Sequence, residues 1–399
     1  MSTSESTAAA EALADAELTE PGDADHAVTA LELFFDLVFV LAITQVTALL
    51  AADPTGHGLL RAVLMLALLW WGWTGYAWLT NAVDVDEGAI RIAYLGAMAA
   101  MLVAALAVPT AFTTNELAFA AAYFVFRLLH LVVYERTTRD RPEVNRVVRR
   151  LGPTLMISAG LIVVASFFDG PAQLAIWAVA IAIDYGGPLL VGSDGWQVSP
   201  GHFVERHGLI IIIALGESIV AIGAGAPHGT ISVRVILAGV FGIAAVGALW
   251  WLYFDVVAVV AGRRMREATG AARNAMARDS YSYLHLPMVT GIVLLALGLK
   301  KALLHPELTL GTVPAIALCG GAALYLVAHI AFRLRNVHSL NRQRVVATVV
   351  CLALIPLALH ASALASLASI SAVLVALIAY EAIRFREARR RVRALAAEG

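Results

Sequence analysis

Twelve runs of apolar sequence, each roughly 20 residues long, constrain this chain more than any other feature. A helix crosses ~30 Å of hydrocarbon in about that many residues, and only helices or closed barrels satisfy the backbone in lipid. Bounded by Gly, Pro or charge, the runs fall near 30–51, 59–81, 89–108, 115–135, 151–169 and 171–191, then 205–225, 232–260, 280–302, 310–333, 344–361 and 364–386. They are continuous, without the alternation of barrel strands. Composition agrees, with 60% hydrophobic and 14% charged residues, where a soluble domain holds about 45–50% and about 25%. A water-soluble enzyme is excluded. The predicted fold class is all-α, a polytopic membrane bundle of twelve transmembrane helices.

Arginine placement tests that count. With twelve spans, the two termini and the connection after every even span share one side. That side collects Arg136 to Arg150 after the fourth span, Arg263 to Arg278 after the eighth and Arg333 to Arg344 after the tenth. It also collects six arginines from Arg384 to Arg393. The other side keeps Arg61, Arg234, Lys300 and Lys301, and Arg127 falls inside a span. An odd number of spans scrambles this division. By the positive-inside rule both termini are then cytoplasmic. Residues 1–29, with seven acidic side chains and no Lys or Arg, read as a disordered acidic cytoplasmic tail. Residues 387–399 read as a basic one.

The chain also resembles itself. Leu37–Thr47 aligns with Leu209–Ile219, setting Gln45 on Glu217. Trp70-Trp71 recurs as Trp250-Trp251, Tyr94 falls on Tyr283, and Tyr123 with Arg127 falls on Tyr325 with His329. The order is the same in both halves, which predicts two six-helix repeats, 30–192 and 205–386. Six is even, so the repeats are parallel, and transporters built this way place their sites near the midplane at the repeat interface.

Polar side chains inside lipid spans are costly and read as functional by default. Glu32 and Asp36 share a face of the first helix, and Glu32 also suits helix capping. Glu217 lies twelve residues beyond Glu205, or ~18 Å at 1.5 Å per residue, which sets it near mid-bilayer with Ser218 beside it. Such a carboxylate suits proton or cation handling. Its structural alternative is a neutral group hydrogen-bonded to a neighbouring helix. Arg127 needs an anion, with Glu217, Asp36 and Asp184 as the candidates. Its role is then a helix-locking pair, an anion site or a gate. Tyr281 and His285 are four residues apart on one face, and His207 belongs to the Arg206-His207-Gly208 stretch. A histidine here is a packed residue or a proton shuttle. Trp70-Trp71 and Trp250-Trp251 read in part as an interfacial aromatic belt.

Other chemistries lack their motifs. No Gly-rich phosphate loop with its Lys is present, so ATP-driven pumping is not expected. Neither His-Glu-x-x-His nor paired cysteines suggest a metal, and Gly-x-Ser-x-Gly is missing. Cys319 and Cys351 lie inside apolar runs and read as small core residues. A net charge of −1 makes no case for nucleic acid. No cofactor is expected. The expected partners are the lipid bilayer and an unknown small solute or ion, with a homo-oligomer left open.

Several of these residues together resemble the bacterial low temperature requirement A family. The likeness rests on Glu32-Leu33-Phe34-Phe35-Asp36 and Trp70-Trp71-Gly72-Trp73, on Asn81, Asp84, Asp86 and Arg91, and on Tyr281-Ser282-Tyr283-Leu284-His285. Its most specific stretch runs from Glu205-Arg206-His207-Gly208-Leu209 through Ala214-Leu215-Gly216-Glu217-Ser218. The resemblance implies a multi-pass bacterial membrane protein linked to growth in the cold, and supplies no substrate. A lesser likeness is to endo-lysosomal potassium channels, which also repeat a six-helix unit. Phe34-Phe35-Asp36 is similar to their first-helix motif, but the second half carries Arg206-His207-Gly208 instead. The expected activity is a secondary transporter with Glu217 as titrating group and Gln45 as its pseudo-symmetric polar partner. Asp36, His207 and His285 would line the cytoplasmic approach, Arg127 would bind an anion or lock the gate, and Ser218 and Tyr281 are further candidate residues. A cation channel and a non-transporting cold-growth protein are the alternatives.

Overall fold

A computed structural model describes residues 27–83, 85, 88–192, 194–226, 231–387 and 389–390. The acidic stretch before residue 27, Asp84, Asp86 and the basic stretch from 391 lie outside the described residues. Twelve helices among them are long and apolar enough to span a bilayer. They are α1 Ala30–Ala52, α2 Gly56–Ala82, α3 Gly88–Thr110, α4 Glu116–Thr137, α5 Pro142–Ala165 and α6 Gly170–Val191. The second half follows with α7 Pro200–Gly225, α8 Val233–Glu267, α9 Gly270–Leu304, α10 Thr312–Val337, α11 Arg342–His360 and α12 Ala363–Arg384. The chain is a multi-pass membrane protein. Its outward faces carry large apolar side chains such as Ile92, Phe167, Leu190 and Ile383, all exposed, as a lipid-facing surface requires.

Local chemistry sets where the helices begin. Thr29 caps α1 and forms a capping box with Glu32, each side chain bonding the other's backbone N–H. Thr55, Ser232, Asn341 and Ser362 cap α2, α8, α11 and α12. Proline occupies the first turn of α5, α6 and α7, where its missing N–H costs nothing.

Four helices reach five or more residues beyond the apolar runs that predict them, α9 among them with its start at Gly270. Helix α5 starts at Pro142 and takes in Arg146, Arg149 and Arg150; α7 starts at Pro200; and α8 continues to Glu267 after a break at Asp255 and Val256. An apolar run measures the part of a helix in lipid, and the backbone goes on winding into water, where arginines are welcome. Helix α9 carries an interruption that periodicity does not reveal, a π-helical segment at Ala277–Tyr283. Helix α11 bends at Leu354, ahead of Pro356.

The two most enclosed helices are α2 and α9. Helix α9 packs closely on α10 because glycines face each other there. A methyl group on Gly321 would lie 2.7 Å from both the Gly291 carbonyl oxygen and the Leu295 nitrogen. This is the small-residue packing that holds helices together in lipid. Among the remaining contacts, α1 meets α3, α3 meets α4, and α4 meets α5 in the first half. In the second half α7 meets α9, α9 meets α10, and α10 meets α11. Helix α1 also packs directly against α7, joining the two halves.

Candidate functional site

The α1–α7 contact is built from charged residues. His202 and Arg206 are four apart on α7, and Glu217 lies three turns further along the same face. Opposite stand Glu32, Asp36 and Thr44 of α1. At the end of the bundle where the arginines collect, His202 Nε2 lies 3.0 Å from Glu32 Oε1. The Asn81 amide lies 3.1 Å from His202 Nδ1. The amide donates, so Nε2 carries the imidazole proton and donates to Glu32. Asn81 also exchanges two hydrogen bonds with the Ser199 backbone, of 3.0 and 2.9 Å, bracing the end of α2 on the start of α7.

One turn deeper, Arg206 Nη2 lies 3.0 Å from Asp36 Oδ1, which also accepts the Trp73 indole N–H at 2.9 Å. The guanidinium sits 5.7 Å from the Trp73 ring centroid. Arg206 is fully enclosed, yet none of its nitrogens makes a well-aligned hydrogen bond and Asp36 Oδ2 has no partner. The pair is therefore held by charge more than by directed bonds. The ionic contact ties α1 to α7 while leaving donors and an acceptor unused.

Around Arg206 lies a set of buried rings. His207 donates from Nδ1 to the Phe203 carbonyl at 2.8 Å, which leaves Nε2 a bare acceptor without a partner. Its ring meets those of Trp73, Tyr281 and His285 edge-on at 5.1 to 5.2 Å. His285 donates to the Ser280 carbonyl at 2.9 Å and accepts from the Tyr253 hydroxyl at 2.8 Å. Tyr281 stacks on His285 at 5.1 Å with its hydroxyl unpartnered. The π-helical segment sets this stack, and such segments occur often at functional sites.

Glu217 stands apart from that cluster. It lies eight residues before the end of α7, so about 12 Å of helix separates it from the end opposite the arginines. Its carboxylate accepts the hydroxyl of Thr44 on α1. Among the described residues, four other acidic residues are buried, and each has a basic partner. Glu32 has His202, Asp36 has Arg206, Asp184 has Arg127 and Glu381 has Arg344. Among the described residues, Glu217 is the buried carboxylate with no basic group within 4 Å.

The expected site residues thus fall in three places. Asp36, His207, Tyr281 and His285 come together with Arg206, and all are closed off from water. Glu217 and Ser218 lie deeper, the Ser218 hydroxyl buried without a partner. Gln45 is half-buried, and the α1 donor to Glu217 is its neighbour Thr44. Arg127 belongs to neither group; it binds Asp184 through two hydrogen bonds of 2.8 and 3.0 Å inside the first half. Trp70 and Trp71 are not a membrane belt. Trp70 donates to the Ser282 carbonyl at 2.7 Å and Trp71 stacks on Tyr185 at 4.0 Å, because α2 is an interior helix.

The sequence from residue 27 to 379 matches the model of the bacterial low temperature requirement A protein family, LtrA. The chain belongs to this family. It is 30% identical over 306 residues to an uncharacterized protein of Rhizobium meliloti (strain 1021), covering 74% of each chain. No solved structure matches it.

In this LtrA protein the α1–α7 cluster lies wholly inside the matched span. Sequence reasoning passed over His202, because it precedes the apolar run, and Arg206 as a partner for Asp36. It also passed over Arg344 and Glu381, joined at 3.0 Å with the His329 ring accepting from Arg344 at 3.0 Å. Glu381 could have been found by the same rule that singled out Glu217, as a carboxylate inside an apolar run. No group of three His, Cys, Asp or Glu is placed to hold a metal among the described residues.

Proposed function

We propose that this LtrA protein is a secondary carrier of an ion or small solute, driven by protons or another cation, with Glu217 as its titrating group. The observation that carries this reading is that, among the described residues, Glu217 has no ion-pair partner within 4 Å, the Lys300 charge acting only from further off. A carboxylate locked to Arg or His holds its proton state while the pair lasts. One held only by a hydroxyl can take up and release a proton or a cation without breaking an ion pair. Its contact with Thr44 crosses from α7 to α1, so its charge state acts on the junction between the halves.

Several features support a midplane site between two parallel six-helix repeats. The halves meet along α1 and α7, the first helix of each, and their internal contacts follow the same order. Tyr123 donates to the Leu68 carbonyl at 3.1 Å and Tyr325 to the Leu249 carbonyl at 2.8 Å, residues that the sequence alignment pairs or nearly pairs. Each half also holds a buried ion pair between its later helices, Arg127 with Asp184 and Arg344 with Glu381. The Asp36–Arg206 and Glu32–His202 contacts close the junction at the arginine-rich end, which favours alternating access over a continuous pore. The crowding of arginines at that end supports a bacterial cytoplasmic membrane with both termini inside.

Proteoliposomes with internal pH and potassium reporters test the proposal, wild type beside Glu217→Gln. Cation flux in the wild type that Glu217→Gln abolishes is the expected result. Full flux in Glu217→Gln removes that residue from the mechanism. A silent wild type, shown folded by its elution and melting, overturns the ion-carrier form of the proposal and moves the weight toward a solute-dependent carrier or a non-transporting role in cold growth.

A further inference from the structure

A second site, independent of the carrier reading, lies between the first half and α9. A cavity of about 70 Å³ is lined by α2, α4, α5 and α6, by Trp196 of the connection that follows, and by Asn274, Arg278 and Ser282 of α9, with Arg127 and Asp184 on its wall. Most of its wall is apolar, with the indoles of Trp71 and Trp78 facing Leu131, Val148 and Leu151.

Three polar atoms on this wall are buried without a partner: Arg127 Nε, Thr74 Oγ1 and His130 Nδ1. Their residues are 1%, 3% and 3% exposed, so bulk water does not serve them. Each has a defined role. Arg127 spends Nη2 on Asp184 and Nη1 on the Trp71 carbonyl at 3.3 Å, which leaves Nε–H as a free donor. His130 Nε2 lies 3.0 Å from the Gly75 carbonyl, which can only accept, so Nε2 carries the proton and Nδ1 is a bare acceptor. The Thr74 hydroxyl can donate or accept. Arg127 and His130 are neighbours, since both would press on a methyl group added at Gly75, at 3.3 and 3.0 Å.

A donor, an acceptor and a hydroxyl together suit one oxygen that carries one hydrogen. Each cation on the wall already has a counter-charge, Arg127 in Asp184 and Arg278 in Asp279, so a neutral occupant is favoured. Water would satisfy the polar atoms but fill only part of the space, because one water needs about 10–15 Å³ in this measure. The remainder is walled by indole and aliphatic groups, where water is disfavoured. An apolar cavity of about 150 Å³ holds benzene, and half that volume holds a body of three or four carbons. We infer that this cavity binds a short-chain alcohol, its hydroxyl donating to His130 Nδ1 and accepting from Arg127 Nε–H while its carbon chain lies against Trp71 and Trp78.

Fluorine NMR of 3,3,3-trifluoropropan-1-ol with the purified full-length protein in micelles tests this, with empty micelles as the partition control. Wild type should give saturable line broadening that propan-1-ol reverses. Leu151→Trp, which fills the cavity, should abolish it. His130→Phe keeps the ring and removes the acceptor, and should weaken binding roughly tenfold. No saturable broadening with wild type overturns the inference and leaves a cavity holding water alone. Equal affinity in wild type and His130→Phe overturns the assigned hydroxyl contact, whatever becomes of the bulkier variant.

Discussion

Replacing Asp184 by leucine would leave Arg127 charged in the interior of the first half. Both side chains are 1% exposed, and two of the three hydrogen bonds on the guanidinium go to Asp184. Only the Trp71 carbonyl would remain. Two separate considerations set the size of the effect. Removing one partner of a buried pair costs about 3–5 kcal/mol, and placing an arginine at the centre of a membrane helix costs ~2.5–3.5 kcal/mol. Both point to a loss of about 3 kcal/mol for Asp184→Leu, roughly a hundredfold in the folding equilibrium. Arg127→Met should cost a similar amount by stranding the carboxylate. The double variant strands nothing, and well-packed apolar replacements of a buried pair are often neutral. It should therefore lie within about 1 kcal/mol of wild type, far from the ~6 kcal/mol that independent sites would sum to. Unfolding by SDS titration in mixed micelles, followed by tryptophan fluorescence, measures all four proteins. Single losses below about 1 kcal/mol, or a double variant as unstable as the sum, would refute the view that the ion pair locks α4 to α6.

Two further outcomes follow from the packing. Gly321→Val should prevent α9 and α10 from closing, since its Cβ would meet backbone atoms at 2.7 Å; Gly216→Ala, with open space around it, should elute and melt like wild type. Size-exclusion profiles and melting in detergent distinguish the two, and a well-behaved Gly321→Val protein would contradict the close approach. Arg206→Lys keeps the charge between α1 and α7 but loses the flat guanidinium over Trp73, and lysine does not replace arginine at a stacked site. It should destabilise the protein by about 1–2 kcal/mol in the same SDS titration, and a stability equal to wild type would show that charge alone suffices there.

Much of the architecture is legible in the sequence because lipid imposes one rule on every span. A run long enough to cross must be helical, and the count of runs survives small errors in each. Helix ends are less legible. Pro142 to Arg150 winds as helix although its arginines keep it out of the apolar run. The individual polar groups of the site were visible one at a time. Asp36, Arg127 and Glu217 stand out against apolar neighbours, and Asp184 is one of the intramembrane anions that the sequence offers Arg127. The pairing of Asp36 with Arg206 was not visible, because the two are 170 positions apart and share no local spacing.

What the sequence determined alone is the solvent this protein lives in, the number of its spans and which side chains are costly to bury. All three depend on the hydrophobicity of single residues or short runs, which no fold can change. The tertiary structure decided which charges are neutralised. It set Arg206 on Asp36, His202 on Glu32, Arg127 on Asp184 and Arg344 on Glu381, and it left Glu217 with a threonine hydroxyl. A counter-charge acts across a few ångströms, and only the packing of separate helices brings distant residues that close.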